Sequence, residues 1–99
     1  MIERIVLLKL KDEQATPELI AEVASYSREV LRRLPGVLEC HVGVAAEDRT
    51  SSSWHLALVL RFASVEDLEP YAMHPDHRAY VDEYLQPRLE SITAYNFEV

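Results

Sequence analysis

Ninety-nine residues with 17 acidic and 10 basic side chains, a net charge of −7 and 48% apolar content make an ordinary globular composition, which excludes a disordered or fibrous chain. The acidic balance argues against nucleic acid as a partner, since the densest basic cluster, Arg28 to Arg33, has Glu29 among its arginines and reads as a solvated helix face. A chain this short builds one core and is marginally stable alone, so one domain over residues 1–99 that associates with a second copy is expected.

Cys40 is the sole cysteine, so neither an intrachain disulfide nor a cysteine-built metal site can form. It alternates with Leu38 and Val42, which marks a small buried hydrophobe rather than a nucleophile. The N-terminal segment Met1 to Lys11 is broken by charges and too short for a signal peptide or a membrane span, so a cytoplasmic location without a membrane partner is expected.

Taken in chain order, Ile2 to Leu10 alternates as a strand whose two faces are both apolar: Val6, Leu8 and Leu10 on one, Ile5 and Leu7 on the other. Thr16-Pro17 caps a helix whose stripe of Leu19, Val23, Tyr26, Val30 and Leu34 runs to the stop at Leu34-Pro35-Gly36. A second strand spans Val37 to about Ala45, and the polar segment Asp48 to Ser53 reads as a loop. Trp54 to Phe62 forms a third strand, with Leu56, Leu58, Leu60 and Phe62 on one face and Ala57 and Val59 on the other. Ser64 caps a further helix, with a kink or break expected near Pro70. Pro75 opens the next helix, which reaches about Gln86-Pro87, and Ile92 to Val99 supplies a last strand.

This βαββαβ order predicts an α+β, ferredoxin-like fold: a four-stranded antiparallel sheet with the first and third strands central and the helices on one face. The other face, carrying Ile5, Leu7, Ala57 and Val59, would stay apolar and open to water, which predicts a homodimer through that face. His41 and His55 are expected near that interface or its rim.

The richest chemistry lies in Tyr71-Ala-Met-His74-Pro75-Asp-His77, a phenol and two imidazoles at the start of a helix. Pro75 suits the first helical position, which makes His74 the cap. His77 then shares a stripe with Tyr80, Val81 and Tyr84, on the inward side of the helix. An inward histidine needs either a partner or a use. His74 and His77 are three apart, a spacing that can bind a metal, but no further carboxylate converges clearly on them, so no metal is expected. The stripe tyrosines Tyr26, Tyr80 and Tyr84 read by themselves as packing residues.

Several segments together resemble the stress-responsive A/B barrel domain (Dabb) family, within the dimeric ferredoxin-like barrels. They are Ile5-Val6-Leu7-Leu8-Lys9-Leu10-Lys11, Leu34-Pro35-Gly36-Val37, Phe62-Ala63-Ser64-Val65-Glu66-Asp67-Leu68, Tyr71-x-x-His74-Pro75-x-His77 and Tyr95-Asn96-Phe97. In length and motif order the chain resembles the family's plant polyketide cyclase, olivetolic acid cyclase. That resemblance implies a dimeric α/β barrel with a small-molecule pocket between sheet and helices, His77 as the base, and Tyr71 and Tyr26 as pocket tyrosines. Val6, Leu8, Val23 and Leu58 would be its apolar wall, with His74 and Asn96 at its margin. The implied chemistry is cofactor-independent: neutral His77 takes a proton α to a carbonyl while Tyr71 donates to the enolate oxygen.

The chain departs from the family at two positions, carrying Arg4 where a first-strand histidine is common and Asn96 where an aspartate is. Asparagine orients an imidazole without stabilising its cation, so His77 is expected to be a weaker base than its counterparts. Arg4, if inward, would disfavour imidazolium and attract a carboxylate, phosphate or enolate, so the expected ligand is small, anionic and partly apolar. Two other readings compete with this one. One is a non-catalytic stress protein selected for robust oligomerisation. The other, disfavoured by scarce basic residues, is a haem-degrading or cofactor-free monooxygenase.

Overall fold

The computed structural model describes residues 1–99 and has four strands: β1 (Ile2–Leu10), β2 (Glu39–Val44), β3 (Leu56–Phe62) and β4 (Leu89–Glu98). They form one sheet in the order β2-β3-β1-β4 with every pairing antiparallel, so the first and third strands are central, as the apolar patterns predict. Opposite pairs such as Ile5 with Val59 and Tyr95, or Val6 with Leu58 and Ala94, fix which side chains share a face. β4 begins at Leu89, three residues before the expected start, and its register shifts opposite Lys9 and Leu10.

Helix α1 (Pro17–Leu31) begins where expected, with the Thr16 hydroxyl accepting from the Leu19 amide at 3.2 Å. Its buried stripe is turned relative to the expectation. Val23, Ala24, Ser27 and Leu31 face the sheet, whereas Tyr26 is 43% exposed. Ser27 goes inward because it has a partner there: the Tyr80 hydroxyl donates to Ser27 Oγ at 2.6 Å, both residues being buried. After α1, Gly36 has φ +82°, and a Cβ there would lie 3.3 Å from that of Asp67.

The segment expected as a polar loop holds a single-turn helix, α2 (Asp48–Ser51), capped by the Glu47 carboxylate, which accepts from the Thr50 amide at 3.1 Å. Trp54 still belongs to that turn, so β3 starts two residues later than the sequence suggests. Beyond β3, a 3₁₀ turn at Val65–Asp67 leads into α3 (Leu68–Met73), and Pro70 causes no break. It occupies the first turn of α3, where a backbone amide would have no helical acceptor. The break falls instead at His74, which is extended at φ −61°, ψ 135° ahead of α4 (Pro75–Ala79). Tyr80–Leu85 then continues as a π-helix, ending with the Gln86 amide on the Val81 carbonyl at 2.9 Å.

The helices cover one face of the sheet. Leu8, Leu10, Leu60 and Phe62 are fully buried there, joined by Leu31 and Leu85 from the helical side. Each such side chain stabilises the fold by about 1.5–3 kcal/mol through burial alone. The opposite face carries Ile5, Leu7, Ala57 and Val59, all only half-buried, and the β4 side chains Tyr95 and Phe97, 62% and 52% exposed. Its polar centre is Arg61, 2.7 Å from Glu3 and 3.9 Å from Glu39, with exposed His41 beside Glu39. His55 sits at the rim of this face, sharing a cavity with Leu7, Gly43 and Ala57. It is buried, its Nδ1 accepting from the Leu10 amide at 3.0 Å, and so serves the strand irregularity at Lys9 and Leu10.

Candidate functional site

Strand alternation puts Arg4 on the covered face with Val6 and Leu8, where a cation must find company among helices. Its Nη1 donates to Asn96 Oδ1 on β4 at 3.1 Å, directly across the β1–β4 pairing. Its Nε is sealed from solvent without a hydrogen-bond partner, and Arg4 takes part in none of the chain's ion pairs. Arg61 on the open face is the reverse case, an arginine facing two carboxylates.

Tyr71 enters this region from α3 and is 3% exposed, with Phe62 meeting its ring edge-on at 5.0 Å between centroids. Burial pushes its phenol up to about 12, against the opposing pull of the nearby Arg4 guanidinium, so the group is a neutral O–H donor at neutral pH. The His77 ring lies 4.5 Å from that of Tyr71. His77 Nδ1 is 3.1 Å from the Ala72 carbonyl, which can only accept, so the proton of the neutral ring sits on Nδ1 and Nε2 keeps its lone pair. Burial lowers the His77 pKa below 6.5; the Ala72 hydrogen bond works against this, and Arg4 and Arg78 add to the lowering. Arg4, Tyr71 and His77 therefore form one electrostatic neighbourhood containing a cation, a neutral phenol and an imidazole free to accept a proton.

The remaining expected site residues lie at varying distances from this centre. Asn96 joins it through Arg4, while the residue itself is exposed on the edge strand. His74 is the α4 cap, its Nδ1 accepting from the Asp76 amide at 3.1 Å, and it lies 4.0 Å from the Asp76 carboxylate. Val6, Leu8, Val23 and Leu58 are packed core side chains. Tyr26 stacks on Tyr84 at 4.0 Å on the outer side of α1, beside a shallow cavity with Asp76 and Ala79. The five main cavities of the surface include none of Arg4, Tyr71 and His77.

Sequence reasoning missed the Tyr80–Ser27 pair, because a serine among the apolar positions of a helix carries no mark of its partner. It also missed the π-helix over Tyr80–Leu85, within which the sealed Tyr84 hydroxyl has no partner, though it placed Tyr80 inward correctly. No group of three or more histidine, cysteine or acidic side chains is arranged to hold a metal ion.

Fold and site together describe a ferredoxin-like α+β domain with a histidine–tyrosine–arginine cluster between sheet and helices. The family description "Stress responsive A/B Barrel Domain" (Dabb) matches residues 2–99, and the chain belongs to that family. A stress-response A/B barrel domain-containing protein of Arabidopsis thaliana is 34% identical over 99 residues, which is 98% of this chain and 36% of the plant protein. The chain thus spans about a third of the length of the curated relative it matches. A dimeric protein of unknown function with a ferredoxin-like fold from Bacteroides fragilis is similar at a TM-score of 0.78 and 26% identity, over 99% of this chain and 95% of that one. Hydroxynitrile lyase from Passiflora edulis gives a TM-score of 0.79 at 19% identity, over 99% and 92% of the two chains, a likeness of fold alone. No helix is long and apolar enough to cross a membrane.

Proposed function

We propose that the chain acts as a homodimer, two sheets packed through their open faces. Each subunit binds a small, anionic, partly apolar molecule at Arg4, Tyr71 and His77 and moves a proton on it without metal or cofactor. Arg4 is the observation that carries this reading. A half-buried guanidinium on the helix side of the sheet, with no carboxylate beside it and with a sealed, unpartnered Nε, gains from an anion that completes it. Asn96 gives it a neutral acceptor and nothing more.

In the proposed reaction the ligand's anionic group pairs with Arg4, and His77 Nε2 removes a proton from the carbon α to a carbonyl. The electron pair of the broken C–H bond moves onto the carbonyl oxygen, where the Tyr71 hydroxyl donates a hydrogen bond. The enolate carbon then attacks a second carbonyl carbon of the same molecule, forming a C–C bond as that carbonyl's π pair moves onto its oxygen, and the imidazolium protonates the alkoxide; this is a cyclase-type addition, and its reverse is the lyase-type cleavage. Low basicity at His77 suits this role, because a ring neutral at physiological pH is ready to accept. The Passiflora lyase supports the view that a scaffold of this shape can house chemistry. Dimerisation is supported by the half-covered apolar sheet face and by the dimeric Bacteroides relative.

Calorimetric titration with small carboxylates, phosphates and β-diketo acids, repeated on Arg4→Gln and His77→Ala, tests the proposal. One class should bind the native chain, bind Arg4→Gln at least about tenfold more weakly, and turn over only with His77 present. Equal affinity across the three proteins would sink it. The second reading, a non-catalytic oligomeric protein, draws support from the packed state of Val6, Leu8, Val23 and Leu58 and from the five cavities that bypass the cluster. It gains if no class binds and the dimer is unusually resistant to heat.

A further inference from the structure

His55 lies well away from the cluster just described and is held by three hydrogen bonds. Its amide donates to the Leu8 carbonyl at 2.8 Å, its carbonyl accepts from the Ala45 amide at 3.0 Å, and its Nδ1 accepts from the Leu10 amide at 3.0 Å. A ring nitrogen that accepts from an amide carries no proton, so the neutral ring has its proton on Nε2. Burial, with Lys9 adding to the effect and the Asp12 and Glu90 carboxylates opposing it, lowers the His55 pKa below 6.5, which favours the neutral ring.

Only Nε2 is left without a partner, and it is not among the sealed polar atoms, which are Arg4 Nε and the Tyr84 hydroxyl. The residue is 9% exposed, and two cavities, of about 280 and 360 Å³, share it together with Val44 and Ala45. The larger also touches Leu7, Gly43 and Ala57 on the sheet face assigned to the dimer partner. The smaller lies on the helical side, walled by Pro17, Ile20 and Ala21 of α1 and by Val44 and Ala45 at the end of β2. Its other polar neighbour, Ser51, is already committed: its hydroxyl donates to the Asp48 carbonyl and its own carbonyl accepts from Lys9 Nζ at 3.3 Å. Lys9 Nζ also reaches the Ser52 carbonyl at 3.0 Å, which ties α2 to β1 and fixes that wall.

We propose that the 280 Å³ cavity is a second small-molecule site, taking an uncharged and largely apolar molecule whose carbonyl oxygen accepts a hydrogen bond from His55 Nε2. The chemistry follows from the lining. Apolar walls favour a hydrocarbon body, a neutral donor selects an acceptor without charge, and the Lys9 ammonium, already engaged by two backbone carbonyls, gives an anion little reward. The volume sits just below the ~300–1,000 Å³ of ordinary ligand pockets, which limits the ligand to a small ketone, aldehyde or ester.

Acetophenone and ethylbenzene, nearly equal in shape but differing in the carbonyl, provide the test when titrated against the full chain with the histidine rings followed in a long-range proton–nitrogen spectrum. Acetophenone should shift the His55 ring and the Val44 and Ala45 methyl signals saturably, and ethylbenzene should bind about tenfold more weakly for want of the hydrogen bond. Ala45→Leu, which fills the cavity, should abolish the shifts; if it disturbs β2, Ala21→Leu on exposed α1 closes the same space from the other wall. His77→Ala should leave binding unchanged, which separates this site from the acid–base cluster. Equal affinity for the two probes, no saturable shift at His55, or loss with His77→Ala but not with either leucine variant would overturn the proposal.

Discussion

His77 donates through Nδ1 to the Ala72 carbonyl at 3.1 Å, whereas His55 accepts through Nδ1 from the Leu10 amide at 3.0 Å. Both rings are turned inward and both have their pKa lowered chiefly by burial. The backbone partner alone decides which nitrogen keeps the lone pair. His77 offers Nε2 as a proton acceptor beside Tyr71 and Arg4, while His55 offers Nε2–H as a donor to an apolar cavity. One residue type thus has opposite tautomers at two places in a small domain, and the difference lies in the main-chain atom facing Nδ1.

Removing each ring should separate the two roles most sharply. His55→Ala leaves the Leu10 amide buried without an acceptor and should cost about 1–3 kcal/mol of stability, read from urea unfolding. His77→Ala frees only a carbonyl at the more open end of α3 and should cost under about 1 kcal/mol while removing turnover. A larger loss for His77→Ala would invert the comparison. Ser27→Ala serves as the reference for a buried pair unrelated to either histidine. Depriving the Tyr80 hydroxyl of its acceptor should cost about 1–2 kcal/mol and leave both ring titrations unmoved.

The pH dependence comes next in size. Unfolded histidines take up protons near pH 6.5, while both folded rings protonate only at lower pH. As pH falls through 6.5 the unfolded chain therefore binds more protons than the folded one. The contribution of these two rings to stability is flat above that value and declines below it until the folded pKa values are reached. Denaturation melts at several pH values check the slope, and NMR titration of the rings assigns it; a ring titrating above 6.5 in the folded chain would contradict the burial argument for that histidine.

The smallest effect is expected from Asn96→Asp. A carboxylate at the Asn96 position pairs with Arg4, offsets its repulsion of imidazolium and should raise the His77 pKa, leaving that of His55 where it is. An unchanged His77 titration would mean that Arg4 does not govern the ring. On the open sheet face, Val59→Lys should convert the proposed dimer to monomer in sedimentation without altering either ring.

Much of the fold was legible because its signals are local. Period-two apolar runs marked β1 and β3 as central strands, and Thr16-Pro17 and His74-Pro75 marked the starts of α1 and α4. The errors have physical reasons as well. Pro70 looked like a breaker because sequence could not show that α3 begins only two residues earlier. Ser27 faces the core where Tyr26 was expected to, because its partner, the Tyr80 hydroxyl, arrives from a segment 53 positions away. His55 was legible as a rim residue of the open face, where it shares a cavity with Leu7, Gly43 and Ala57, but its acceptor role was not, because that depends on a register shift between β1 and β4.

By itself the sequence determined the family, the order of elements and the presence of a tyrosine and a histidine around one helix start, since composition, spacing and capping are properties of neighbouring residues. Tertiary structure decided the rest: that Arg4, on the helix side of the sheet, reaches across to Asn96, and that His77 and His55 carry their protons on different nitrogens. Protonation state and ion pairing depend on atoms brought together through space, from strands and turns far apart along the chain.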